Sequence, residues 1–296
     1  MKSDTPWLLG LDLGGTRLKA LAITPDGREI SRTSVPTGGD DWKNHVKQSV
    51  DDLLEKHGEP TTIGVAAPGL PAKDQCSTAH MPGRLPGLEG LDWQAFLGFH
   101  KPVPVLNDAH AALLGEVWLG SAKGLQNVIL LTLGTGVGGA ILSDGRLLRG
   151  HLGRAGHLGH ISIRSDGPPD IVNTPGSLED AVGNHTLHTR SDGKFHSTAE
   201  LVAAANCGDP TAAAVWQATI RDLAAGVTSL INILDPEAIV IGGGIAEAGD
   251  TLFQPLAAEL DRFEWRPLGH RVPILRAQLA DWAGATGAAK YPNSKP

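Results

Sequence analysis

Apolar residues recur along the chain with two different periods, and the switches between them outline its elements. From Trp7 to Leu13 the chain is apolar and stops at Asp12-Leu13-Gly14-Gly15-Thr16; a second run, Leu18 to Thr24, ends at Pro25-Asp26-Gly27, a turn signal. The pair predicts a hairpin closed by a glycine turn. Trp42, Val46, Val50, Leu53 and Leu54 then share one face at helical spacing, and Gly58 stands where a C-cap belongs. Thr61 to Ala66 reads as a buried strand. The Gly/Pro-rich stretch from Pro68 to Gly90 is irregular and long enough to be a functional loop. Val103 to Leu106 predicts a short strand running into Asn107-Asp108, and Ala109 to Leu119 a helix that Gly120 ends.

Asn127 to Leu133 is a further apolar strand, followed by "GTGVGG", by Ala140 to Leu142 and by a turn at Asp144-Gly145. The segments "LLGLDLGGTRLKALAITPDGR" and "ILLTLGTGVGGAILSDGR" share one plan: strand, glycine turn, strand, Asp-Gly, Arg. That internal repeat predicts two similar lobes, each offering a glycine turn. Downstream, Thr211 to Leu234 predicts a long helix, with a possible interruption at Gly226, that Asp235-Pro236 ends. Ala238 to Ile241 is a strand entering Gly242-Gly243-Gly244. Strands alternating with helices indicate an α/β architecture, in which ligands gather beyond the carboxyl ends of the strands.

The chain has 296 residues, enough for two domains, and with 41% hydrophobic and 19% charged residues it lies well away from the disordered range. Against 25 Lys and Arg stand 32 Asp and Glu, a net charge of −7 with no basic tract, so a nucleic-acid partner is not expected. Cys76 and Cys207 lie in no metal-type spacing and suggest no disulfide framework. No apolar run approaches the roughly 18 residues of a membrane span, and "MKSDTPWLLGLDLGG" has no signal-peptide pattern. The expectation is a soluble, cytoplasmic protein with no membrane partner.

Glycine turns after strands let backbone amides point at phosphate oxygens without obstruction from side chains. One Gly-x-Gly element is most often a tight turn and nothing more. Three of them after strands, one preceded by Asp12, favour a phosphate site. Asn107 and Asp108 remain open to two readings on composition alone, a helix N-cap or a polar pair at a ligand site.

"LDLGGTRLKALAITPDG", "GVAAPG", "PVPVLNDAHAALLGEVWLGSAKG", "ILLTLGTGVGGAILSDGRLLRGHLGRAGHLGH", "DPEAIVIGGGIAE" and "DWAGATGAAK" together resemble a sugar kinase of the ROK family (repressor, open reading frame, kinase). The resemblance runs nearly end to end. It implies an α/β, two-lobed actin-like ATPase (ribonuclease H-like) fold with a nucleotide and sugar cleft between lobes. Residues 1–114 would form a small N-terminal lobe and 115–296 a large C-terminal lobe, the last helix returning to the small one. The implied reaction is glucokinase-like phosphorylation of a hexose at a primary hydroxyl, with ATP and Mg2+ as cofactors.

By that resemblance Asp12, Gly14, Gly15 and Thr16 would be the first phosphate element, with Asp12 holding magnesium through water. Gly134, Thr135, Gly136, Gly138 and Gly139 would be the second, and Gly242, Gly243 and Gly244 would lie beside adenosine. Asp108 matches the catalytic aspartate. A carboxylate of ordinary pKa, about 4, cannot strip a ground-state alcohol, so the proton would move late, after a loose phosphoryl transition state has begun to form. Gly69, Asn107, His160 and Glu179 match sugar-side positions.

Three departures stand out. The family often has a zinc site built from the His160 position and three cysteines; here "DGPPDIVNTPGSLED" has none, so no zinc is expected and turn chemistry over 166–176 must shape the loop. His157 stands where the family usually has a glutamate, and Arg84 where asparagine is usual, which opens the sugar's identity. Both are kept as candidate substrate contacts. The acceptor could also be an amino sugar or ketose, the donor polyphosphate, and the chain a non-catalytic sugar binder. A sugar-sensing regulator is disfavoured because only "MKSDTPWLLGL" precedes Asp12. A homo-oligomer, dimer or tetramer, is implied by the resemblance alone.

Overall fold

The computed structural model describes residues 6–38, 41–81 and 85–293. The chain folds as two compact units, Met1–Gly124 with Arg146–Ala155 and Gln278–Pro296, and Leu125–Gly145 with Gly156–Ala277. The expected division after residue 114 falls within a continuous helix; the chain leaves the first unit only after that helix and its following turn.

In the first unit β1 (Leu8–Leu13) and β2 (Arg17–Ile23) form the expected hairpin, and β2 pairs in turn with β3 (Glu29–Pro36). Helix α1 (Trp42–His57) follows, then β4 (Thr62–Ala67), which runs parallel to β1. Within the stretch read as irregular lie β5 (Leu70–Pro71) and β6 (Thr78–His80), a two-stranded ladder. After α2 (Trp93–Leu97), strand β7 (Val105–Asn107) completes the sheet order β3-β2-β1-β4-β7 and passes directly into α3 (Asp108–Leu119). Leu9, Leu11 and Leu13 alternate onto one face of β1, where the Trp42-Val46-Val50 stripe of α1 covers them.

The second unit starts with the hairpin of β8 (Val128–Leu133) and β9 (Val137–Ser143). The two-residue β10 (Arg146–Leu147) opens the segment that returns to the first unit. Helices α4 (Leu178–Val182), α5 (Leu187–Arg190) and α6 (Thr198–Asn206) precede α7 (Pro210–Leu234). The Asp209 side chain caps α7 and Pro210 occupies its first turn; the helix runs unbroken through Gly226, where a Cβ would lie 2.9 Å from Leu178. Strand β11 (Ala238–Gly242) runs parallel to β8, and after α8 (Asp250–Phe263) β12 (Ile274–Arg276) runs parallel to β11. Both sheets therefore repeat one plan, an antiparallel hairpin whose first strand continues into parallel neighbours.

After β12 comes α9 (Ala283–Lys290), which packs on β1, β2, β4 and α3 of the first unit. Its residues from Ala283 to Ala289 are small and buried. They let the helix lie against the sheet backbone: a Cβ at Gly10 of β1 would stand 1.8 Å from Ala285 O, and one at Gly64 of β4 2.0 Å from Ala288 O. No helix among the described residues is long and apolar enough to cross a membrane.

Candidate functional site

Four predicted residues of the first unit gather around the ends of β1, β4 and β7. The junction of β7 and α3 places Asn107 in the cap position and Asp108 in the first turn. Asn107 is the N-cap: its buried side chain accepts from Ala109 N at 3.0 Å and donates from Nδ2 to Gly69 O at 3.1 Å. Gly69, with φ of 90° and room for no Cβ (2.3 Å from His80 O), is thereby tied to the start of α3. Asp108 Oδ1 also accepts from Ala109 N, at 2.8 Å, and the residue is exposed in the first turn of α3, where the helix dipole favours a negative charge.

Asp12, near the end of β1, lies close enough to Asp108 for their charges to interact. Burial first, and then the negative charge of Asp108, push the Asp12 carboxyl up to about 7, although Lys19 nearby pulls the other way. Beyond it the turn Gly14-Gly15-Thr16 is held from behind: Gly14 N donates to Arg17 O, the Thr37 hydroxyl donates to Gly14 O at 2.8 Å, and Thr37 N donates to Thr16 O. Gly15 and Thr16 are exposed.

The second unit carries the matching turn. Between β8 and β9, Gly134 N donates to Gly136 O, and His185 N donates to Thr135 O at 3.0 Å. Glu179, in the first turn of α4, accepts from Val137 N at 2.9 Å and fills the space beside Gly136, where a Cβ would lie 2.2 Å from its carboxylate. Gly159 packs on the Glu179 Cβ, so Glu179, the turn and the short 3-10 segment Leu158–His160 form one cluster. Gly138 and Gly139 lie in β9, and His157 immediately precedes the 3-10 segment. At the end of β11, Gly243 has φ of 87° and abuts Leu133 O.

Space separates two kinds of glycine here. A Cβ built on Gly15, Gly134 or Gly244 meets nothing within 4 Å, and none of the three has a positive φ, so the fold itself does not require glycine at these positions. Bare backbone where the fold tolerates a side chain is what close approach of a ligand would demand.

Asp170 is a residue that the sequence patterns do not single out. Its side chain is fully buried, and its Oδ2 lies 2.8 Å from His160 Nδ1 while its Oδ1 accepts from Val172 N and Thr174 N. The 166–176 loop is thus organised as an Asx-type turn around one carboxylate. An Asp two residues before an amide it caps is a visible signal, but its pairing with His160 is not. Gly284 of α9, a neighbour of Asp12, is likewise absent from the sequence-predicted site. Arg84 lies outside the described residues. Among the described residues no cluster of three or more His, Cys, Asp or Glu is arranged to hold a metal ion.

Comparison with known proteins places the chain among sugar kinases. The chain is 31% identical to a glucokinase of Halalkalibacterium halodurans, over 95% of this chain and 93% of that one. It is 32% identical to an N-acetylmannosamine kinase of Vibrio cholerae, over 81% and 84%. A crystal structure of a ROK family glucokinase from Streptomyces griseus, in complex with glucose and AMPPNP, superposes with a TM-score of 0.77 at 28% identity, covering 96% of this chain and 98% of that one. The α/β fold is accordingly that of the ROK sugar kinases, the actin-like ATPase fold. Residues 8–294 match the ROK family, a span that takes in both sheets and the terminal helix, and the chain belongs to that family.

Proposed function

We propose that this protein is an ATP-dependent hexose kinase that transfers the γ-phosphoryl group to a primary hydroxyl of glucose or a close relative, with Asp108 as general base. The observation that carries the reading is the exposed position of Asp108 at the head of α3, close to Asp12. A glucose and AMPPNP complex of a 28% identical relative supports a nucleotide and a sugar as ligands.

In this reading Asn107 and Gly69 fix the backbone around Asp108, and Gly69, Asn107, His157, His160 and Glu179 receive the sugar. Gly14, Gly15 and Thr16, with Gly134, Thr135, Gly136 and Gly138, present backbone amides to the phosphates, while Gly242, Gly243 and Gly244 admit the nucleoside. Asp108 accepts a hydrogen bond from the attacking hydroxyl and orients it. As the bond from the sugar oxygen to phosphorus forms and the bond to the departing β-phosphate oxygen breaks, the proton passes to the Asp108 carboxylate. Much of the rate gain comes from orientation.

The Asp12 carboxylate, costly to ionise where it is buried, is a hard oxygen donor suited to a divalent cation. Asp12 would hold Mg2+ in part through water. There the ion would neutralise phosphate charge.

The N-acetylmannosamine kinase relative, at 32% identity, supports an N-acetylated amino sugar as the second acceptor to test. Incubation with Mg2+-ATP and a panel of hexoses, ketoses and amino sugars, with products followed by 31P NMR, tests the proposal. A sugar 6-phosphate is expected. Polyphosphate as alternative donor forms a parallel arm, and sugar binding without any phosphorylated product would make the chain a binding protein.

A further inference from the structure

Asp170 is placed to do more than shape its loop. Its side chain has no exposed surface, and each oxygen is committed: Oδ1 to Val172 N at 2.9 Å and Thr174 N at 2.8 Å, Oδ2 to His160 Nδ1 at 2.8 Å. Burial opposes its ionisation, but hydrogen bonds from Thr174, His160, Val172 and Ser177 outweigh that and hold the carboxyl below the usual range. An ionised carboxylate only accepts, so the proton between the two groups sits on Nδ1 of His160. In neutral imidazole the other nitrogen then carries a lone pair. Nε2 makes no hydrogen bond among the described residues, and the ring is 26% exposed.

We propose that Asp170 is a positioning residue for the substrate: it holds His160 in the Nδ1–H tautomer and a fixed ring orientation, so that Nε2 accepts a hydrogen bond from one sugar hydroxyl. The proposal rests on the reading of His160 as a sugar contact. It adds a chemical requirement, because the ligand group at Nε2 must be a donor. A sugar whose hydroxyl at that position is replaced by fluorine or O-methyl leaves Nε2 unpaired and binds more weakly. The loop 166–176 and the sugar contact are therefore coupled through one side chain.

Asp170→Asn separates orientation from fold. In this variant the amide oxygen still accepts from Val172 N and Thr174 N, so the amide NH2 must face His160 and donate to Nδ1. The ring proton then moves to Nε2, which turns from acceptor to donor. In 15N-histidine spectra, with His160 assigned by loss of its signals in His160→Gln, wild type should show a protonated Nδ1 and Asp170→Asn a protonated Nε2. Titration of wild type with its sugar should shift the Nε2 resonance and leave Nδ1 in place, which decides the matter even if the variant folds poorly. The calorimetric Kd for the sugar should rise tenfold or more in Asp170→Asn, with the Kd for ATP unchanged within twofold. A wild-type His160 protonated at Nε2, or a variant whose tautomer inverts without loss of sugar affinity, overturns the proposal. Absence of sugar turnover in wild type would instead fail the kinase reading, because the tautomer and binding measurements do not depend on turnover.

Discussion

Gly284 of α9 leaves the space in which the Asp12 carboxylate lies: a Cβ at 284 would stand 2.7 Å from Asp12 Oδ2 and 2.8 Å from its Cγ. The terminal helix thus sets the position of a residue near the start of the chain, because its small side chains bring it against β1. Alanine at 284 would gain about 0.5–1 kcal/mol of helix propensity and lose about 1–3 kcal/mol to overpacking. We expect Gly284→Ala to lower Tm by only a few degrees while kcat falls at least tenfold through displacement of Asp12. Thermal melts and steady-state kinetics on one preparation check this.

Asp12 itself should show a stability cost of function. Its carboxyl is raised in the folded state from 3.8 to about 7, so folding favours the protonated form. The stability tied to that proton is fully present below pH 3.8 and is lost as pH rises towards 7. At about 1.4 kcal/mol for each pKa unit, the loss amounts to a few kcal/mol above neutrality. In metal-free buffer, Asp12→Asn should therefore raise Tm at pH 8, show no gain near pH 4, and abolish turnover. Differential scanning across that range is the check.

The open glycines make a sharper test of the phosphate turns. Gly15 has nothing within 4 Å of a Cβ and no positive φ, whereas Gly243 has φ of 87° and a Cβ there would stand 2.3 Å from Leu133 O. Gly15→Ala should leave Tm within about a degree of wild type and raise KM for ATP at least tenfold, with KM for the sugar unchanged. Gly243→Ala should instead destabilise the second unit, by about 1–3 kcal/mol for the strained conformation alone. Urea melts of both variants separate the two roles.

Glu116 is fully buried at the end of α3, with Oε1 accepting from Gln278 N and Leu279 N and Oε2 from Ser121 N and Oγ. It anchors, on the first unit, both the segment before the chain leaves and the one where it returns. Glu116→Gln turns an NH2 group towards the Ser121 N–H, so one buried donor loses its partner. A loss of about 2–4 kcal/mol is expected, measurable as a lower urea midpoint.

Much of the fold is legible in the sequence where one physical signal dominates. The β1 and β2 hairpin, α1 with its Trp42-Val46-Val50 stripe, and the β11 strand into three glycines all follow from apolar periodicity ended by turn residues. Strand β3, "EISRTSVP", escapes such a reading because an edge strand with no buried residue shows no such pattern. Helix α2 is too short for a period, and Gly226 suggests a break in α7 that does not occur, because that glycine serves packing against Leu178, a tertiary reason. The sequence indicates Asp12, Asp108 and the glycine turns by position. The neighbours that tune them, Gly284 beside Asp12 and Asp170 beside His160, come from tertiary and loop contacts that no local pattern encodes.

The central proposal is that Asp108 accepts the sugar hydroxyl's proton during phosphoryl transfer. The most direct measurement is sugar-dependent ADP release from Mg2+-ATP by wild type and Asp108→Ala, with sugar and nucleotide affinities of both measured by calorimetry. A general base in this place predicts sugar-stimulated turnover in wild type and a loss of at least a hundredfold in the variant with both ligands still bound, consistent with the roughly 10²–10⁴-fold typical of such a group. Turnover in Asp108→Ala within tenfold of wild type would contradict it.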